Sequence, residues 1–198
     1  MTLVLILLLL VGCSPVVVEP PPSEPQECVN GGWCSEYDVI LSSWYYKMPD
    51  LRSMSVMCPK WDKVDKQPTW LKLWRAVVDC ESSFNKYSWM DENMGIDPVT
   101  GKTVRSEGLL QLSYQDAVNY KTPECYKIDW SQDSKWGENS PQKTIFNAAI
   151  NLNCGMSIAK KHLEWGSRWA FPPMAYWACL RQNTNGPAKF KKLAPECF

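Results

Sequence analysis

The chain has 198 residues, with 21 Lys plus Arg set against 21 Asp plus Glu and a single histidine. That balance creates no strong field to attract or repel nucleic acid. With no P-loop and no basic run interleaved with aromatics, a nucleotide or nucleic-acid role has little support. The length suits one domain with a single hydrophobic core plus appendages.

The chain opens with "MTLVLILLLLVGC", whose apolar run from Leu3 to Val11 is far short of the roughly 20 residues that cross a bilayer. The segment resembles a bacterial lipoprotein signal. Leu10-Val11-Gly12-Cys13 follows the pattern of a leucine, small residues and the lipidated cysteine, although the usual basic n-region is missing. The resemblance implies a signal peptide over 1–12, lipid on Cys13 and a membrane contact through that lipid. Ser14 in the next position implies the periplasmic face of a Gram-negative outer membrane, with secretion as the alternative.

Nine cysteines are present, and setting Cys13 aside leaves Cys28, Cys34, Cys58, Cys80, Cys125, Cys154, Cys179 and Cys197. An even set in an exported chain reads as a disulfide framework of up to four bridges, with connectivity left open. No C-x-x-C occurs and His162 is the sole histidine, so no metal site is expected.

Residues 13–27 comprise the lipid site and a tether over 14–27 that holds five prolines and no core pattern, reaching about 40 Å at roughly 3 Å per residue. Residues 28–67 form an aromatic, cysteine-bearing lead-in, partly helical and packed on the domain that follows over 68–198. Pro68 and Thr69 mark a helix start, and Trp70, Leu73, Trp74, Val77 and Val78 recur at the spacing of one helix face running to about Ser83. Asp97-Pro98-Val99-Thr100-Gly101 suggests a small hairpin or loop. Further helices are expected over Ser113–Tyr120, about Pro141–Trp165 and about Pro173–Arg181. The fold class is mainly α.

The next position on the first core-helix face is Glu81. A carboxyl group held against apolar side chains loses hydration when ionised, so its pKa rises. It then suits general-acid work near neutral pH. The competing reading is a helix-end glutamate satisfied by backbone donors or Arg75. Other chemistries fit less well. "GMSIA" departs from a nucleophile elbow and lies inside a helix, the cysteines are better spent on bridges, and His162 near a helix C-terminus reads as a partner for the helix dipole.

Four segments carry a resemblance: "ESSFN" (Glu81–Asn85), "EGLLQLS" (Glu107–Ser113), "NLNCGMSIA" (Asn151–Ala159) and "AYW" (Ala175–Trp177). In this order they resemble the soluble lytic transglycosylases of the lysozyme-like superfamily, over roughly residues 68–185. The resemblance implies a disulfide-stabilised, lysozyme-like, mainly α domain with a small hairpin or loop insertion. The implied reaction is cleavage of the MurNAc-β-1,4-GlcNAc bond of peptidoglycan strands by a monomeric enzyme without a cofactor. Glu81 matches the catalytic acid, which would then act as base on the muramoyl 6-hydroxyl to close a 1,6-anhydro ring. Gly108 and Gln111 match the segment bordering the cleft, Tyr176 the tyrosine near the acid, and Ser82 its structural neighbour.

Three departures qualify this. Trp177 stands where the family has asparagine, and the stretch from Glu81 to Gly108 is longer than usual. That longer stretch also looks like the C-type lysozymes, yet Ser106 occupies the place of their second catalytic aspartate. A single acid is therefore favoured over a carboxylate pair, with adjacent Glu107 as the substitute. The alternatives are a lysozyme-type muramidase and a non-catalytic glycan-binding lipoprotein. The acidic cluster Asp91, Glu92 and Glu107 would suit sugars bearing a free ammonium, as in deacetylated peptidoglycan.

Overall fold

The computed structural model describes residues 33–48, 51, 54–55, 57–164, 175–181 and 186–198. The signal segment, Cys13, the tether and Cys28 lie outside the described residues. The order of regular elements is α1 (Ser35–Tyr45), α2 (Lys66–Ser82), β1 (Trp89–Ile96), β2 (Thr103–Glu107), α3 (Tyr114–Tyr120), α4 (Trp130–Asp133), α5 (Ala148–Glu164) and α6 (Gly186–Leu193), joined by short 3-10 turns. Among the described residues the class is mainly helical, with one two-stranded antiparallel sheet.

Helix α2 is the central element. Trp70, Leu73, Trp74, Val77 and Val78 are all buried along one stripe, as their spacing requires. The helix begins two residues before Pro68, because a first-turn residue needs no N–H partner and proline fits there. Helix α1 packs on both α2 and α5, and α6 packs on α2. The lead-in is thus part of the packed core: Tyr37, Leu41 and Trp44 are buried, Trp44 Nε1 donates to Asn153 Oδ1 at 2.8 Å, and Trp70 Nε1 donates to the Leu41 carbonyl at 3.1 Å.

Two expected helices differ. The helix expected from Pro141 begins only at Ala148, after a 3-10 turn over Thr144–Phe146. The buried Asp133 carboxylate captures the amides of Thr144 and Ile145, which holds that turn apart from the helix. Asn147 Oδ1 then accepts from the Ile150 amide and starts α5. The helix expected over Pro173–Arg181 lies partly outside the described residues; in the described part, only Ala178–Leu180 forms a 3-10 turn.

The expected framework of up to four bridges is present in part. Cys58–Cys197 and Cys125–Cys154 are bonded, and Cys34 is disulfide-bonded as well. Cys80 and Cys179 belong to neither of the two bridges above, and their side chains are in hydrogen-bond contact.

Candidate active site

Glu81 is the penultimate residue of α2 and half-buried. The chain turns away at once: Ser83 and Phe84 both take left-handed backbone conformations, φ 51° and 62°. Two successive non-glycine residues in that region are strained and held by their surroundings. They end the helix one step after the carboxyl group. Oε1 of Glu81 accepts from the backbone N–H of Cys179 at 3.1 Å. Burial drives the pKa up, the Cys179 hydrogen bond opposes it, the Glu92 charge raises it further and Arg181 lowers it; the net direction is upward. The carboxyl group is therefore biased toward its protonated form.

Glu92 is the one half-buried residue of an otherwise exposed β1. The pairing of Met90 with Ser106 and Asp91 with Arg105 fixes which residues share a face, because side chains alternate along a strand. Met90, Glu92 and Ser106 occupy one face, where Ser106 Oγ donates to Glu92 Oε1 at 2.8 Å. Trp89, Asp91, Arg105 and Glu107 occupy the other, with the Arg105 guanidinium 3.7 Å above the Trp89 ring. The acidic cluster read from the sequence is therefore split by the pleat.

Glu107, expected as a possible stand-in for the second carboxylate, lies on the far face. It is 1% exposed and bound by Lys143 Nζ at 2.5 Å, with Arg105 Nε at 3.6 Å. Burial raises its pKa against the pull of Lys143 and Arg105. A cavity of about 230 Å³ opens on this back face, bounded by Arg105, Glu107, Tyr114, Trp130 and Lys143, and neither Glu81 nor Glu92 lines it.

The segment after β2 is clamped from beneath by Asn151 of α5, which is fully buried. Its Oδ1 accepts from the Leu110 amide at 2.8 Å, and its Nδ2 donates to the carbonyls of Glu107 at 3.0 Å and Ile145 at 3.1 Å. Gly108 has φ 83°, and a Cβ there would lie 2.2 Å from Asn151 Nδ2 and 2.9 Å from the Ile145 carbonyl. Only glycine meets both the backbone and the space requirement. Gln111 Nε2 donates to the carbonyls of Gly108 at 2.8 Å and Ser88 at 3.2 Å, so its amide nitrogen closes the loop.

Trp177, the residue standing in place of asparagine, is buried and donates from Nε1 to the Leu110 carbonyl at 3.0 Å. The same loop is thus held from a second side. Tyr176 is half-buried, packs its ring against Tyr120, His162 and Trp177, and donates its hydroxyl to the buried Asp116. Burial and the charges of Asp116 and Glu81 push its phenol well above the ordinary range, which keeps it neutral. Ser82 is buried and bonds back to the Val78 carbonyl at 2.9 Å, a helix-internal role. His162 is buried, its Nε2 is 2.8 Å from the Tyr120 hydroxyl, and burial lowers its pKa. That favours a neutral ring rather than the positive partner of the helix dipole expected from its position.

Glu92, Tyr176, Arg181 and the Cys179 amide therefore all interact with Glu81, whereas Glu107 and Asp91 face elsewhere. In the sequence, Glu92 could have been separated from its neighbours only by assigning the strand and its register; the cue was the Asp97–Gly101 turn.

No family model and no curated protein matches the chain. Among solved structures it is similar to three of the protein DslA. The wild type is 21% identical with a TM-score of 0.55, covering 80% of this chain and 87% of that one. Two variants of DslA, each replacing a glutamate by glutamine, at positions 143 and 154 of that chain, are 19% and 21% identical with TM-scores of 0.55 and 0.56. At this identity the likeness is one of fold.

Proposed function

We propose that the chain is a peptidoglycan glycosidase of the lysozyme-like superfamily that cleaves the MurNAc-β-1,4-GlcNAc bond, with Glu81 as general acid and Glu92 as the second carboxylate. The observation carrying this reading is the pair itself: a half-buried carboxyl group biased toward protonation, and a second carboxylate close enough for its charge to act on the first. Two carboxyl groups whose surroundings differ suit acid and nucleophile-or-base roles across a glycosidic bond. The DslA variants add support. Their two substituted glutamates lie eleven positions apart, the separation of Glu81 from Glu92.

In this mechanism Glu81 gives its proton to the glycosidic oxygen as the C–O bond breaks. The carboxylate left behind keeps the Cys179 N–H as a charge-assisted donor. Positive charge developing at the anomeric carbon is met by Glu92, oriented by the Ser106 hydroxyl. Either Glu92 bonds to that carbon and Glu81 then takes a proton from the water that displaces it, or Glu92 aligns a water on the opposite face and itself takes that water's proton.

A lytic transglycosylase outcome is the second reading. The motif order from Glu81 to Trp177 and the serine at position 106 favour it, and it needs Glu81 alone. Lipid anchoring through Cys13 at the outer membrane belongs to either version. Mass spectrometry of muropeptides released from purified sacculi discriminates, with Glu81→Gln and Glu92→Gln as controls. Reducing ends that vanish with either substitution support the hydrolase. Products lighter by one water, lost only with Glu81→Gln, support the transglycosylase. No release from acetylated or deacetylated sacculi would overturn both in favour of a glycan-binding lipoprotein.

A further inference from the structure

The cavity behind the hairpin takes no part in the proposed cleavage, and its charges are unequally matched. At the inner end Lys143 pairs with Glu107. Asp133 accepts there from the Tyr114 and Thr144 hydroxyls and from the Thr144 and Ile145 amides. Those groups hold the fold. At the mouth, Lys102 and Arg105 share a single carboxylate. Glu138 Oε1 accepts from Lys102 Nζ at 3.1 Å and Oε2 from Arg105 Nη1 at 3.4 Å, although the Glu138 side chain is 65% exposed. Ion pairs this exposed contribute little in water, so an incoming carboxylate displaces Glu138 at small cost.

The cations are positioned in advance. The Arg105 guanidinium lies over the Trp89 ring, which fixes its plane. Its Nε is buried 3.6 Å from Glu107 Oε1 and makes no hydrogen bond, so its charge is only partly spent inward. Asp91 is the cross-strand neighbour of Arg105 and lines the same cavity. Among the described residues no ion pair joins those two side chains, since Arg105 pairs with Glu107 and Glu138 instead. Trp136, half-exposed, forms the apolar part of the mouth.

We propose that this mouth binds a free α-amino-acid end, a carbon carrying both a carboxylate and an ammonium. The carboxylate replaces Glu138 between Lys102 and Arg105, the ammonium faces Asp91, and the carbon chain behind them lies along Trp136.

Glu138 itself demonstrates the fit, because each of its two oxygens meets one of the two cations. The Lys102 hydrogen bond and the Lys102 and Arg105 charges hold its carboxyl below the ordinary range, and they act equally on a ligand's carboxylate. A doubly charged phosphate would meet the nearby Asp91, and a neutral sugar would leave charges of both signs unanswered. At about 230 Å³ the cavity is smaller than the roughly 300–1,000 Å³ of pockets for drug-sized ligands, which suits one amino-acid-sized group. Peptidoglycan stems present such an end wherever a diamino acid is not cross-linked. That source rests on the glycosidase reading, whereas the chemistry of the pocket does not.

The test is calorimetric titration of the full chain with meso-diaminopimelate, which carries two such ends on one short carbon chain. Pimelate lacks the ammonium groups, 1,5-diaminopentane lacks the carboxylates, and inorganic phosphate is the remaining control. Diaminopimelate should bind at least about tenfold more tightly than each of the three. Lys102→Met should weaken it about tenfold, and Asp91→Asn should bring it toward the affinity of pimelate. Glu138→Gln removes the internal competitor and should strengthen binding up to about fivefold. All three side chains are exposed, and an unchanged thermal melt verifies that each variant is folded. The Trp136 indole N–H resonance, assigned by its loss in Trp136→Phe, should shift and saturate together with the heat. The absence of diaminopimelate binding, equal binding of any control, or a variant of the three without effect overturns the proposal. Binding as expected by a protein that releases nothing from sacculi would reject the glycosidase reading and leave this site standing. Sacculus cleavage without diaminopimelate binding would do the reverse.

Discussion

The hydroxyl of Ser106 donates to Oε1 of Glu92 at 2.8 Å across the hairpin, so the serine standing in place of an aspartate orients a carboxylate supplied by the neighbouring strand. Replacing Glu92 by Gln should lower kcat on sacculi at least 100-fold, in the range of losing a charge that stabilises a transition state. Ser106→Ala should cost about tenfold, by freeing Glu92 to rotate. A Glu92→Gln enzyme with wild-type kcat would remove Glu92 from the mechanism.

The Glu92 charge raises the pKa of Glu81. Glu92→Gln should therefore lower the Glu81 titration midpoint, measured by carboxyl NMR, whatever its effect on turnover. The same shift bears on stability. A carboxyl group whose folded pKa is raised contributes stability that is present below its unfolded pKa and is lost as pH rises through the folded value. Glu81→Gln should thus melt higher than wild type at neutral pH. The gap should close as the pH falls below the ordinary carboxyl range.

Glu107 and Lys143 are 1% and 5% exposed and 2.5 Å apart. Removing Lys143 leaves the buried Glu107 with only the more distant Arg105 opposite it, a loss of up to about 3–5 kcal/mol. Lys143→Met should therefore destabilise strongly in denaturant unfolding. Lys143→Met with Glu107→Leu should recover most of the loss. A near-neutral Lys143→Met would mean that Glu107 is not held by this pair.

The loop after β2 offers graded substitutions. Asn151→Ala removes three buried hydrogen bonds and should cost about 3 kcal/mol. Gly108→Ala combines a φ of 83° with a contact of 2.2 Å and should cost about 2 kcal/mol or more. Trp177→Phe keeps the packing on Trp74 but strands the Leu110 carbonyl, at about 1–2 kcal/mol. Urea midpoints order the three, and an unaffected Trp177→Phe would argue against the Leu110 clamp.

Helix α2 was legible because its buried stripe follows a single period, and Glu81 stood out by interrupting that stripe. The mainly helical class and the hairpin turn at Asp97–Gly101 follow from equally local signals. What was not legible depends on pairing between distant segments. The placement of Asp91, Glu92 and Glu107 on opposite faces requires the strand register, since one step along a strand reverses a side chain. The late start of α5 is set by Asp133, more than ten residues upstream, and periodicity carries no trace of that capture. The substitution at Trp177 reads as a loss until the Leu110 carbonyl is found within its reach.

The bridge between Cys58 and Cys197 spans 139 positions and turns that whole stretch into a covalent ring. Both carboxyl-bearing elements, the Asn151 clamp and the Trp177 contact lie inside it. A single proteolytic cut anywhere within the ring opens the loop without releasing a fragment. A nick would leave Glu81 and Glu92 parts of one molecule, free to re-close around their shared core.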